Sequence, residues 1–153
     1  MSKSVRVSPS SITLKGYSLN SNPISEEILK LSPIKILESL KGSSIYWFHI
    51  DETRLKLLKL KNEINLISGL EKTLMELIDS QIKDCNTIIA ALTSERVGDV
   101  SVNAKNQFPE YSDHFSKDAT QHYIYAIRYL EPLSSHEIIT DMIEKIKSKV
   151  ALI

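Results

Sequence analysis

The longest helical pattern in the chain covers residues 51–96, whose sequence is DETRLKLLKLKNEINLISGLEKTLMELIDSQIKDCNTIIAALTSER. No proline occurs between residues 34 and 108, so no proline interrupts a helix in this interval. Apolar residues recur at the spacing of one helix face, at positions 57, 60, 64, 67, 70, 74, 78, 82, 85, 89 and 92. The pattern predicts a mainly α-helical protein.

The length of this stretch raises the question of one helix or two. A single helix of 46 residues would extend about 69 Å, whereas a compact domain of this size is roughly 40 Å across. Ser68 followed by Glu71 matches a capping box and predicts a break there. We therefore expect two helices, over 52–66 and 69–96. The alternative is one continuous helix that needs a coiled-coil partner.

The N-terminal side of this stretch contains further start and stop signals. Ser25 and Ser32 are suitable helix caps, Pro33 suits a first helical position, and Gly42 suits a helix end. Residues 26–41 are therefore predicted to form either one kinked helix or two short ones. Asp51 is the predicted cap of the helix that follows.

Short clusters of valine and aromatic residues predict at most a small β element. The sequence SSIYWFHI at 43–50 has strand composition, with a core at 45–50, and the other candidates lie near 5–14 and 100–102. Residues 1–22 are expected to form a flexible arm or a hairpin.

The C-terminal third is predicted to begin with a long loop and to continue with two helices. Residues 97–116 contain Gly98, Pro109 and many turn formers, and loops of this length are often functional. Helices are expected over 117–131 and 135–150, the second opened by a capping box of Ser134 and Glu137. The sequence thus predicts a single domain, 1–153, with a bundle of five to seven helices.

Composition favours a cytoplasmic protein that binds neither membranes nor nucleic acid as its main task. Nineteen basic residues balance nineteen acidic ones, whereas nucleic-acid and anionic-membrane binders rely on net positive charge. The single cysteine allows no internal disulfide. The first residues lack the apolar run of a signal peptide, and no apolar stretch is long enough for a membrane helix.

Several chemistries lack the residues that they need. The glycines are too far apart for a phosphate-binding or dinucleotide-binding loop, so no cofactor is expected. Cys85 lies on the apolar stripe and is predicted to be a buried, inert thiol.

Two groups of residues suggest a specific function, each with a simpler interpretation beside it. His114, Asp118 and His122 are four residues apart, as metal ligands on one helix face would be, although the two histidines would be about 12 Å apart. This triplet suggests a metal-assisted hydrolase, against the simpler interpretation of a solvated polar flank. A basic run follows three aromatic residues and comprises Arg54, Lys56, Lys59 and Lys61. Basic and aromatic residues together suggest a nucleic-acid-binding regulator, and the simpler interpretation is a solvated helix face.

The aromatic residues are concentrated where the candidate binding surface is predicted. On the helix at 117–131 the buried side is expected to comprise Ala119, Tyr123, Ala126 and Leu130. The flank beside it comprises Tyr125, Tyr129, Asp118 and His122, with Arg128 farther out and Phe108 and Tyr111 in the preceding loop. Tyrosine and arginine are favoured interface anchors. We therefore expect a non-catalytic protein-binding module, of the kind of bacterial immunity proteins and antitoxins that occlude a partner toxin.

Overall fold

A computed structural model describes residues 22–65 and 72–153 of the protein. Within these residues the chain forms six α-helices and no β-strand, so the predicted mainly helical class with five to seven helices is confirmed. The helices are α1 (Asn22–Lys30), α2 (Pro33–Ser39), α3 (Trp47–Asn65), α4 (Lys72–Gln107), α5 (Ser112–Leu130) and α6 (Glu137–Ala151). Short 3-10 turns at Pro109–Tyr111 and Glu131–Leu133 flank α5.

Two short helices, rather than one kinked helix, precede α3. The hydroxyl of Ser32 accepts a backbone N–H of the first turn of α2 at 3.4 Å, and Pro33 is the first residue of that helix. Gly42 follows with φ of +87°, a conformation that glycine adopts without steric cost. The predicted cap and stop of α2 are therefore confirmed. The cap predicted at Ser25 is wrong, because α1 already includes that residue.

The strand predicted at 45–50 is wrong, because this stretch contains the start of α3. Consecutive aromatics favour strands only weakly, and a local interaction overrides that preference here. The Nδ1 atom of His49 accepts the backbone N–H of Tyr46 at 3.1 Å, the role that Glu or Gln fills in a capping box. Asp51, the predicted cap, lies inside the helix and forms an ion pair with Arg54 at 2.7 Å.

The long loop predicted at 97–116 is also wrong, since α4 extends into it and α5 begins within it. The strand predicted at 100–102 lies inside α4. Gly98 was expected to break the helix, but it instead permits a close contact, because a Cβ atom there would lie 2.5 Å from Cε1 of Tyr123. Packing of this kind overrides the low helix propensity of glycine and valine.

Some predictions fall outside the described residues. These are the hairpin near 5–14, the rest of the arm up to residue 21, and the capping box of Ser68 and Glu71. Residues 52–65 and 72–96 of the two predicted helices lie within α3 and α4, and the predicted break between them lies outside the described residues.

The described residues form two compact units, while the expectation of one domain over 1–153 stays a prediction. Unit 1 contains residues 22–36, 51–65 and 72–85, and unit 2 contains residues 37–50 and 86–153. Aliphatic side chains form the core of unit 1, and those that are fully buried include Ile28, Leu57, Ile64 and Ile78.

Helices α5 and α6 pack against each other in unit 2. The predicted buried side of α5 is confirmed in full, since its buried residues are Ala119, Tyr123, Ala126 and Leu130. On α6 the buried residues are Ile138, Ile139, Ile143 and Ile146. Amphipathic sequence patterns of this kind bury one stripe of each helix and leave the rest in water.

The capping box predicted for α6 does not form. His136 occupies the N-cap position, and no side chain caps the helix. Ser134 directly follows the preceding 3-10 turn, and its carbonyl oxygen accepts the hydroxyl of Thr140 at 2.9 Å. The turn that follows Pro132 therefore displaces the start of the helix by two residues.

None of the described helices combines the length and the apolar character that crossing a membrane demands.

The contact at Gly98 generates a prediction about stability. Gly98→Ala should lower the free energy of unfolding by about 1–3 kcal/mol, because the new methyl group would overlap a buried ring whose hydroxyl is bonded to Asp99. In a helix without such a contact the same change is stabilising by up to about 1 kcal/mol. Urea unfolding of Gly98→Ala in the wild type and in a Tyr123→Leu background measures the difference. A stabilising effect in the wild-type background would contradict the contact.

The burial of Cys85 generates a second prediction. Its side chain is fully buried, and burial raises the pKa of the thiol from 9.0 to about 12, with the Asp84 carboxylate adding to the effect. Because the thiolate is the reactive form, a thiol reagent at pH 8 should label the folded protein about 1000-fold more slowly than the urea-unfolded chain. Labelling of the native protein at the unfolded rate would show that the thiol is accessible.

Candidate functional site

The start of α3 places three aromatic side chains and a histidine in one helical turn. We call Tyr46, Trp47, Phe48 and His49 the aromatic turn. The rings of Tyr46 and Phe48 stack with their centroids 5.3 Å apart, and Trp47 meets Phe48 edge-on at 6.1 Å. The imidazole of His49 lies 4.5 Å from the Phe48 ring. The rings therefore support one another, and the backbone hydrogen bond to His49 fixes the turn from which they project.

The aromatic turn remains largely in contact with water. Tyr46, Trp47 and Phe48 are 36%, 51% and 50% exposed. Tyr46 precedes α3 and stacks on Phe48, and Trp47 meets Phe48 edge-on, so the rings contact one another while each stays exposed. An exposed aromatic cluster of this size marks a candidate interaction surface.

A cavity of about 290 Å³ lies beside the aromatic turn, within unit 2. The guanidinium carbon of Arg96 lies 4.8 Å from the centre of the Tyr46 ring, so a cation is held against an aromatic face at the cavity wall. The lining comprises residues 43–47, Leu92, Glu95, Arg96 and Asp99 of α4, and Met142, Lys145 and Lys149 of α6.

Four polar residues at the cavity are joined to one another by ion pairs and a hydrogen bond. We call Glu95, Asp99, Tyr123 and Lys149 the charged junction. Lys149 Nζ lies 2.7 Å from Glu95 Oε2 and 3.0 Å from Asp99 Oδ1, and the Tyr123 hydroxyl donates to Asp99 Oδ1 at 2.6 Å. The junction therefore connects α4, α5 and α6, and its two carboxylates are already occupied.

The titration of the charged junction follows from these contacts. Burial and the hydrogen bond to Asp99 raise the pKa of Tyr123. Burial lowers the pKa of Lys149, but the hydrogen bonds to Glu95 and Asp99 outweigh it and leave the pKa above 10.5. Both groups therefore hold their protons more tightly in the folded protein than in the unfolded chain.

Two other cations at the cavity have no such partner. Within the described part of the chain, no carboxylate forms an ion pair with Arg96 or Lys145. Both side chains are exposed and both line the cavity. The cavity therefore presents two unneutralised positive charges next to exposed aromatic rings.

Part of the binding surface predicted on α5 forms one continuous strip. Asp118, His122, Tyr125 and Tyr129 follow one another along the helix at spacings of three or four residues. His122 Nδ1 lies 2.9 Å from the Asp118 carbonyl oxygen, and its ring meets that of Tyr125 edge-on at 5.8 Å. Tyr125 and Tyr129 are 39% and 46% exposed. We call these four residues and Arg128 the α5 flank.

Arg128 borders the strip, because it lines a shallow groove together with Tyr125 and Gln121, whose amide donates to the Tyr125 hydroxyl. The other two predicted residues lie before α5. Phe108 and Tyr111 precede α5, and Tyr125 lies thirteen residues after the first residue of that helix, about 20 Å along its axis. The structure therefore does not bring Phe108 and Tyr111 together with the tyrosines of the α5 flank.

The predicted metal triplet is divided among other contacts. His114 meets the ring of Phe115, while Asp118 accepts the hydroxyl of Ser101 and lies beside His122. Among the described residues, no three or more His, Cys, Asp or Glu side chains gather as metal ligands would.

The basic residues proposed for nucleic-acid contact are partly neutralised. Arg54 pairs with Asp51 at 2.7 Å, and Lys61 pairs with Asp79 at 2.7 Å. Only Lys56 and Lys59 of that run are left to offer charge to a phosphate backbone. This arrangement favours the interpretation of a solvated helix face over that of a nucleic-acid site.

Comparison with known proteins gives no match. No family model, curated protein or solved structure is significantly similar to the chain. The site must therefore be interpreted from its own geometry.

Sequence reasoning missed Arg96, Lys145 and the exposure of the aromatic turn. On an amphipathic helix, Arg96 and Lys145 cannot be distinguished from ordinary solvated charges. A usable signal was the run Tyr46, Trp47 and Phe48, because a helix cannot bury three consecutive aromatics on one face.

The charged junction predicts how stability depends on pH. Above about pH 10 the charged junction should lower the free energy of unfolding as the pH rises, because the unfolded chain releases the protons of Tyr123 and Lys149 before the folded one does. This fall adds to the one that Cys85 begins near pH 9 in every variant alike. Tyr123→Phe should make this fall shallower. Tyr111→Phe is the matched control, since that tyrosine is 60% exposed. Urea titrations from about pH 8 to pH 11 measure both; equal slopes for Tyr123→Phe and the wild type would contradict the assignment.

Proposed function

We propose that the protein is a non-catalytic protein-binding module and that the aromatic turn, with Arg96, forms the centre of its binding surface. The observation that carries this proposal is the exposure of three neighbouring aromatic rings against a cation in the same unit. Tryptophan, tyrosine and arginine are the residue types that contribute most to protein interfaces.

Energetics support a partner for this surface. The exposed parts of Tyr46, Trp47 and Phe48 amount to roughly 300 Å². Burial of that area yields about 7 kcal/mol before the entropic cost of association, which is of similar size. The aromatic turn can therefore anchor a complex but needs further contacts, and the α5 flank is the second surface that we propose to supply them.

The proposal retains a toxin as partner, occluded as bacterial immunity proteins and antitoxins occlude theirs. It also retains a cytoplasmic location, which the single buried cysteine supports because an unpaired thiol persists in a reducing compartment. The balance of acidic and basic residues favours a protein partner over nucleic acid.

The test first identifies the partner and then measures how substitutions in each surface change the affinity for it. Wild-type protein is immobilised and the captured protein is identified, purified and titrated against each variant by calorimetry. Trp47→Ala should weaken binding about 30-fold or more, equivalent to about 2 kcal/mol, with little change in melting temperature. Tyr125→Ala combined with Arg128→Ala should have an effect of the same kind.

Leu55→Ala is the matched control, because Leu55 is 54% exposed on the same helix but lies outside the aromatic turn. It should leave the affinity unchanged. If Trp47→Ala lowers the melting temperature and leaves the affinity unchanged, the aromatic turn is local packing and the proposed surface is wrong. The same outcome for Tyr125→Ala with Arg128→Ala would exclude the α5 flank.

A further inference from the structure

We infer that the cavity beside the aromatic turn accepts an acidic side chain, Asp or Glu, that lies within an apolar segment of the partner protein. The inference rests on the proposed function and specifies the chemistry of the partner. It is based on the size of the cavity, on the charges that line it, and on the aromatic rings at its edge.

The size of the cavity suits a side chain rather than a larger ligand. Its volume of about 290 Å³ lies at the lower end of the range for small-molecule sites. A carboxylate side chain and part of one neighbouring residue fit such a space. Because Trp47 lines the cavity and is half exposed, the neighbouring residue of the partner can pack against its indole.

The charges at the cavity favour an anion. Glu95 and Asp99 already bind Lys149, and Asp99 also accepts the Tyr123 hydroxyl, so these carboxylates are not available to neutralise further cations. Arg96 and Lys145 have no ion-pair partner among the described residues. A single negative charge in the cavity would therefore meet two cations that no ion pair already neutralises.

The arrangement of Arg96 favours a carboxylate in particular. Its guanidinium lies 4.8 Å from the Tyr46 ring centre, which restricts the orientation of a group that can donate two parallel hydrogen bonds to a carboxylate. An acidic side chain within a protein segment also brings apolar neighbours that can pack on the half-exposed indole of Trp47, which a free phosphate ion does not. We therefore commit to an acidic protein segment as the occupant.

The experiment begins with a random 12-residue peptide library displayed on phage and selected on the immobilised full-length protein. The enriched peptides should carry Asp or Glu flanked by aromatic or large aliphatic residues. The most enriched peptide is then synthesised, together with its counterpart in which the acidic residue is replaced by Asn or Gln. Binding is followed by the emission of Trp47, the single tryptophan of the chain and part of the cavity wall.

The acidic peptide should bind at least about tenfold more tightly than its amide counterpart. Arg96→Gln and Lys145→Gln should each reduce this ratio, and the double variant should abolish it. Lys147→Gln is the matched control, because Lys147 is an exposed lysine of the same helix that already pairs with Glu144. It should leave the ratio unchanged.

Several results would overturn the inference. These are enrichment of peptides without an acidic residue, no enrichment at all, equal affinity for the acidic and amide peptides, and tighter binding of inorganic phosphate than of the acidic peptide. Measuring the affinity of the same variants for the natural partner distinguishes failure of this inference from failure of the proposed function. If Trp47→Ala weakens the natural complex but Arg96→Gln and Lys145→Gln do not, the module binds through its aromatic turn without an acidic contact.

Discussion

The ring of Tyr123 lies against the backbone of α4 at Gly98, and its hydroxyl donates to the carboxylate of Asp99 in the next position. Lys149 of α6 reaches the same carboxylate at 3.0 Å. Three helices of unit 2 therefore meet within one turn of α4. Any side chain at position 98 would push the ring away, and the hydroxyl would then lose the acceptor that satisfies it in a buried site.

The candidate site depends on this meeting point. Arg96 lies on the same turn of α4, between the two acidic residues of the charged junction, and Lys145 lies one turn before Lys149 on α6. The charged junction occupies the acidic groups and leaves these two cations to face the cavity. The aromatic turn completes the wall, because the hydrogen bond to His49 determines where α3 begins.

A structural feature could be predicted from the sequence where it follows a pattern repeated along one helix, and not where it depends on a contact between residues far apart in the chain. The buried faces of α5 and α6 were predictable because burial on one side of a helix repeats every three or four residues. The helical course through Gly98 was not predictable, since it depends on a ring 25 positions along the chain. The start of α3 was missed because His49, rather than an acidic residue, provides the capping contact.

The same distinction applies to the candidate site. The α5 flank could be assembled from spacing within one helix, and four of its residues do lie in one strip. The grouping of Phe108 and Tyr111 with it depended on the long loop predicted over 97–116, whereas helical geometry separates them from Tyr125. Arg96 and Lys145 come from two different helices, so their placement at one cavity could be seen only in the folded structure.

The most direct test is the nuclear Overhauser contact between the Gly98 α-protons and the ring protons of Tyr123 in solution. We predict a strong contact, together with helical chemical shifts through residues 97–107; loss of that contact, or random-coil shifts over that stretch, would contradict it.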